Sequence, residues 1–204
     1  MEIAFSQACE NNKHPILAIL SKEFNQTQNV LEIGSGTGQH AVYFAEHLNH
    51  LTWFTSDLVS SHFTINHRVK NAKLTNLKPP LALDLSCAWQ QALSPVKGIK
   101  KFDAIFTANT LHIVSWPLVK QFFHQAGQHL ISGGKCCIYG PFNYQGQYTS
   151  DSNANFDFWL KQRDANSGIR DIEQITEQAQ LAGLHLIKDH QMPANNRLLT
   201  FIAS

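Results

Sequence analysis

The chain has 204 residues, with 16 Lys+Arg against 15 Asp+Glu and a formal net charge of +1. At 43% hydrophobic and 15% charged it reads as one globular domain over 1–204, since disorder needs low hydrophobicity and high net charge. The balanced charge argues against a nucleic-acid partner, and no run approaches the roughly 18 apolar residues of a membrane span.

Short β-rich runs alternate with helical ones. A strand is expected over 29–33 and a helix over 39–50, burying Ala41, Phe44, Ala45 and Leu48. A second strand at 51–55 precedes a helix through 59–72. A third strand at 81–83 precedes a short helical piece at 89–93. The fourth strand, 102–107, leads to a helix over 115–131, which Ser132-Gly133-Gly134 should end before a fifth strand at 135–139. Residues 143–170 then break the rhythm: they are polar, yet they carry Tyr144, Tyr148, Phe156, Phe158 and Trp159. A helix is expected from Asp171, with Gln174 completing a capping box and Gly183 ending it. Strands at 184–189 and 197–202 are joined by a connection too short for a parallel crossover, so they pair antiparallel. The fold class is α/β: a mostly parallel, Rossmann-like sheet with an antiparallel C-terminal hairpin and helices on both faces. Residues 143–170 are either a surface loop or a lid over the mouth of a site.

Ligands of such sheets bind beyond the carboxyl ends of the strands, where the chemistry-bearing residues fall. Gly34-Ser35-Gly36-Thr37-Gly38 follows the first strand, and its glycines let the backbone turn and approach a ligand. The dinucleotide fingerprint wants its third glycine where this chain has Gln39, and no G-K-[ST] follows for a P-loop. Asp57 ends the second strand, as a ribose-binding acid or as a helix N-cap. Asp84 and Leu85 end the third, where a carboxylate and a backbone N–H could read a base. Together they form a nucleoside-site constellation. Cys9, Cys87, Cys136 and Cys137 make no C-x-x-C and read as buried small hydrophobes in a reducing compartment. The N-terminus lacks the features of a secretion signal, so a cytoplasmic protein is expected. The eleven histidines make no H-E-x-x-H, and no metal site is indicated.

Leu31 to Gly38, with Asp57 and Asp84, resembles the class I S-adenosylmethionine-dependent methyltransferases. More narrowly, the stretches 10–17, 36–42, 139–143, 152–157, 168–171 and 192–196 resemble the methyltransferase-like 26 family, and the likeness covers nearly the whole chain. The resemblance implies a seven-stranded methyltransferase fold and an S-adenosylmethionine site, without naming the methyl acceptor. It implies that Gly34 and Gly36 face the methionine end, Asp57 the ribose, and Asp84 with Leu85 the adenine. Glu32, Ser35 and Asn109 join the cofactor set, Asn109 by its backbone. His112, in Asn109-Thr110-Leu111-His112, is either a general base or a residue that positions a loop. Asn143 and Asp157 are further catalytic candidates, and Tyr139, Asn153, Asn195 and Asn196 are acceptor candidates. The leading function is methyl transfer to a small molecule or a protein side chain. A nicotinamide-dependent oxidoreductase and a non-enzymatic binding module are the alternatives.

Overall fold

The computed structural model describes residues 3–204, whose contacts divide into two compact units, one ending at Thr107 and the other Ala108–Ser204. The first contains α1 (Gln7–Glu23), β1 (Asn29–Ile33), α2 (Gln39–His47) and β2 (Thr52–Asp57). A 3-10 turn (Val59–Ser61), α3 (His62–Ala72), β3 (Leu77–Ala82), α4 (Trp89–Leu93) and β4 (Phe102–Ala108) follow. β1 pairs in parallel with β2 and β4, and β2 with β3. Trp53, Phe44 and Phe106 pack as rings 5.5–5.7 Å apart in the core, on the faces of β2, α2 and β4. α1 packs on α2.

The second unit contains α5 (Trp116–His129), β5 (Leu130–Gly140), β6 (Phe142–Asn143), α6 (Asp151–Arg163) and β7 (Arg170–Asp171). It closes with α7 (Ile172–Leu181), β8 (Leu184–Gln191) and β9 (Arg197–Ala203). β9 pairs antiparallel with both β5 and β8, as the short connection requires. α5 packs on α7, with Gly127 lying against Ala182, and the α5 stripe that includes Val119, Phe122 and Ala126 is fully buried. In the seven-stranded sheet the order is β3-β2-β1-β4-β5-β9-β8, a mixed, mostly parallel Rossmann-like arrangement.

Several boundaries differ from the sequence reading. β3 starts at Leu77, so it contains Pro79 and Pro80; it is an edge strand, and its register with β2 shifts between Phe54 and Ser56, opposite the two prolines. α5 stops at His129, and Gly133, with φ 75°, lies inside β5 rather than between helix and strand. The span 59–72 is a 3-10 turn followed by a helix. Asp171 is the N-cap of α7, but its side chain makes no capping bond, so the capping box does not form. The polar stretch 143–170 holds a 13-residue helix, α6, started by Ser150, whose Oγ accepts the Asn153 N–H at 3.2 Å. Cys136 and Cys137 are buried as expected, whereas Cys87 is exposed and Cys9 half-buried. Among the described residues no helix is long and apolar enough to cross a membrane.

Candidate functional site

In the first unit, hydrogen bonds tie three strand ends together. The N–H groups of Gly34 and Ser35 both donate to the Ser56 carbonyl at 3.0 Å, and Gly36 N–H donates to Asp57 Oδ2 at 2.7 Å. Leu83 N–H donates in turn to the Asp57 carbonyl at 3.1 Å. The glycine turn, Asp57 and the end of β3 are therefore one rigid rim.

Its glycines have different jobs. Gly36 has φ +57° and open space where a side chain would stand, so the exposed turn leaves room for a ligand against the backbone. Gly38 has φ +76°, and a Cβ there would press on the Ile65 backbone at 3.3 Å; it serves the packing of α2 on α3.

Beneath the turn lies a buried polar knot. Glu32 Oε2 accepts Ser35 Oγ–H at 2.7 Å and Trp53 Nε1–H at 3.1 Å, while Ser56 Oγ–H donates to the Glu32 carbonyl at 2.6 Å. Burial pushes the Glu32 carboxyl up to about 7. Glu32 and Ser35 thus shape the turn from below, with their side chains committed to each other.

The two exposed acids differ in what they leave open. Asp57 Oδ1 accepts Leu58 N–H and Ser61 Oγ–H, at 2.7 and 3.0 Å, and Oδ2 accepts Gly36. A carboxylate offers about four lone pairs, so one remains, on Oδ2. Asp57 is not the N-cap of a helix; that place belongs to Leu58 for the 3-10 turn and to Ser61 for α3. Asp84 Oδ1 accepts the N–H and the hydroxyl of Ser86, bonds that hold its carboxyl below the usual range. Its Oδ2 and the Leu85 N–H have no hydrogen-bond partner among the described residues.

The start of α1 closes on the same turn, a feature the sequence reading missed. Gln39 Oε1 accepts Ser6 N–H at 2.7 Å and Thr37 Oγ1–H at 3.0 Å, and its Nε2 donates to Glu10 Oε1 at 2.6 Å. His40 Nε2 bonds Asn12 Oδ1 at 2.6 Å, and burial holds its imidazole down to about 4. Gln39 therefore stands in place of a fingerprint glycine because it docks the N-terminal helix. Its position after Gly38 was the only signal.

In the second unit, Asn109 adopts a left-handed φ of 58° and donates its N–H to the Tyr139 carbonyl at 2.9 Å. His112 is 5% exposed, its ring meets the edge of Phe156 at 5.4 Å, and Gly140 lies against it with no Cβ to intrude. Burial holds this imidazole down to about 4 as well, so it is neutral at neutral pH. The His112 carbonyl accepts Gly168 N–H, and Arg170 donates to the carbonyls of Leu111, Val114 and Asn166. The 143–170 stretch is thus clasped onto the loop 111–114.

The remaining candidates sort by their partners. Asp157 is 2% exposed and accepts Tyr148 Oη–H, Lys161 Nζ–H and Ile169 N–H, each at 2.6 Å. Those bonds make it a buried tie that joins α6 to Tyr148 and Ile169. Asn153 donates to Thr149 Oγ1 and the Asn195 carbonyl, and Asn195 Nδ2 donates back to Ser152, which joins α6 to the β8–β9 turn. Asn196 donates only within its own turn, to the carbonyls of Pro193 and Ala194. Tyr139 is buried within β5. Asn143 is 8% exposed, and its Oδ1 has no partner among the described residues.

Residues 3–203 match the model of a family described as "Protein of unknown function (DUF938)". The fold matches an O-methyltransferase family protein from Burkholderia thailandensis with a TM-score of 0.79 at 16% identity, over 94% of this chain and 56% of that one. It matches the mitomycin 7-O-methyltransferase with a TM-score of 0.80 at 11% identity, over 97% and 54%. Human N-acetylserotonin methyltransferase, solved in complex with SAM, matches with a TM-score of 0.75 at 11% identity, over 97% and 53%. The chain therefore spans about half the length of these solved chains.

Proposed function

The chain belongs to the DUF938 family, and from that premise we propose that it is an S-adenosylmethionine-dependent methyltransferase of a small molecule or a protein side chain. The observation that carries this reading is the rim of the first unit. An open glycine turn, one free lone pair on Asp57 and an unpartnered carboxylate oxygen and N–H at Asp84 and Leu85 stand at three successive strand ends. The fit with the cofactor is chemical. Asp57 Oδ2 suits a ribose hydroxyl, Asp84 Oδ2 an exocyclic amine and Leu85 N–H a ring nitrogen. When bound, S-adenosylmethionine supplies a methyl group on a sulfonium.

The chain's part is then to hold the acceptor's nucleophile in line at about 3–3.5 Å and to exclude water. His112 is the base we assign where the acceptor must lose a proton, because it is neutral, buried and backed by Phe156. We read 143–170 as the acceptor-binding cover, since that stretch is bonded to the loop carrying His112. The kinship with the methyltransferase-like 26 family belongs to the same proposal, on the motifs quoted above. So do a cytoplasmic setting, in keeping with four free thiols, and an acceptor that is not a nucleic acid, in keeping with the net charge of +1.

Titration calorimetry tests the cofactor assignment. S-adenosylhomocysteine should bind saturably and NAD and NADP should not. Saturable NAD or NADP binding with no response to S-adenosylhomocysteine would sink it.

A further inference from the structure

Two motifs of the second unit meet in a place that the cofactor reading does not use. β6 and β7 form a separate two-stranded parallel sheet in which Phe142 pairs with Arg170 and Asn143 with Asp171. Register partners in such a pair project to one face, so the Asn143 and Asp171 side chains stand side by side. Oδ1 of each is buried and has no hydrogen-bond partner among the described residues. Asn143 as a whole is 8% exposed.

Two adjacent buried acceptors without donors are rare, because each has given up water for nothing in return. Neighbouring cations do not account for them. The Arg170 guanidinium is spent on the carbonyls of Leu111, Val114 and Asn166, and Lys161 is on Asp157. Asp171 is the N-cap residue of α7, yet its side chain makes no capping hydrogen bond. The same small sheet adjoins His112, through Gly140 two residues before β6 and Gly168 two residues before β7.

We propose that Asn143 and Asp171 are the recognition end of the acceptor site, and that they bind a cationic group rich in N–H: a primary ammonium, an amidinium or a guanidinium. The proposal rests on the methyltransferase reading and adds the class of acceptor to it. A group with two or more N–H donors can meet both oxygens at once, whereas a hydroxyl offers one donor and a carboxylate none. The Asp171 carboxylate makes the pair charge-assisted, which favours a cation over a neutral amide. Held as a cation, that group has no lone pair for attack, so it is a handle, and the methylated atom lies elsewhere in the acceptor.

The test is an amide-resolved NMR titration of the full chain with benzylamine, benzyl alcohol and benzoate, with S-adenosylhomocysteine titrated in parallel. Benzylamine should shift the amides of residues 142–144 and 170–172 saturably, benzyl alcohol should bind at least tenfold more weakly, and benzoate should not bind. Asp171→Asn, which preserves shape, should weaken benzylamine at least tenfold and leave S-adenosylhomocysteine affinity unchanged. Asn143→Leu should do the same where it folds.

Equal binding of benzoate, no saturable benzylamine response, or unchanged benzylamine affinity in Asp171→Asn would each overturn the proposal. If those occur with S-adenosylhomocysteine still bound, only the acceptor class fails. If benzylamine binds as described and S-adenosylhomocysteine does not, the cation site stands and the transfer reading falls.

Discussion

Asp57 carries two duties at once. Its carboxylate fixes the glycine turn through Gly36 N–H and the start of the 3-10 turn through Leu58 and Ser61, and it keeps one lone pair for a ligand. Asp57→Ala should therefore lower S-adenosylhomocysteine affinity by roughly ten- to a hundredfold, as the loss of one charge-assisted hydrogen bond implies. It should also lower stability by about 1–3 kcal/mol, the range for donors that lose a hydrogen-bonded carboxylate. Calorimetry and thermal melts on the same variant separate the two effects. A purely structural Asp57 would show the second without the first. The sequence made Asp57 visible through its place at a strand end, but not its bond to Gly36. That bond needs β1 and β2 in register, and register is a tertiary fact.

At the scale of elements, α6 revises what 143–170 was expected to do. From the sequence Asp157 is a catalytic candidate. In the structure Asp157→Ala removes three bonds, leaves Ile169 N–H buried without its acceptor and frees Lys161 and Tyr148 from α6. A loss of about 2–4 kcal/mol is expected, the range for breaking a buried, hydrogen-bonded charge. Denaturant melts should show it, and a variant as stable as the parent would contradict the role as a tie.

α6 was illegible because the face it buries carries Asn153 and Asp157 beside Leu160, while Phe158 and Trp159 are exposed, so no apolar 3.6-residue stripe marks it. α1 escaped notice for a related reason: Pro15 interrupts a stretch of mixed polarity. The core strands were legible, since Val30-Leu31 and Ala104-Ile105-Phe106 are continuous apolar runs of strands buried on both faces. β6 and β7, at two residues each, carry no periodicity at all. Their pairing, and hence the orphaned oxygens of Asn143 and Asp171, could come only from the fold.

For the whole molecule, three buried groups set the pH dependence of stability between pH 5 and 8. His40 and His112 have pKa values lowered from 6.5 to about 4 by burial. In that window the unfolded chain takes up protons that the native state refuses, so stability is lost as pH falls from 6.5. Glu32 runs the other way. Its carboxyl is raised from 4.5 to about 7, so native Glu32 keeps a proton that the unfolded chain releases, and stability is lost as pH rises through 7. Two histidines outweigh one glutamate below 6.5, and above it Glu32 acts alone. Stability should peak near pH 6.5 and fall by about 1 kcal/mol or less above it. Glu32→Gln, which can still accept from Ser35 and Trp53, should abolish that fall; denaturant midpoints measured from pH 5 to 8 would show whether it does.

Whether the open glycine turn, Asp57 and Asp84 serve methyl transfer is decided with methyl-labelled S-adenosylmethionine. The purified protein would be incubated with labelled cofactor and a fractionated cell extract, beside an Asp57→Ala, Asp84→Ala double variant. Label should pass to at least one fraction with the parent protein and fall at least tenfold with the variant. Tight cofactor binding with no transfer to any fraction would rule out methyl transfer, and equal transfer by parent and variant would rule out Asp57 and Asp84 as its cofactor site.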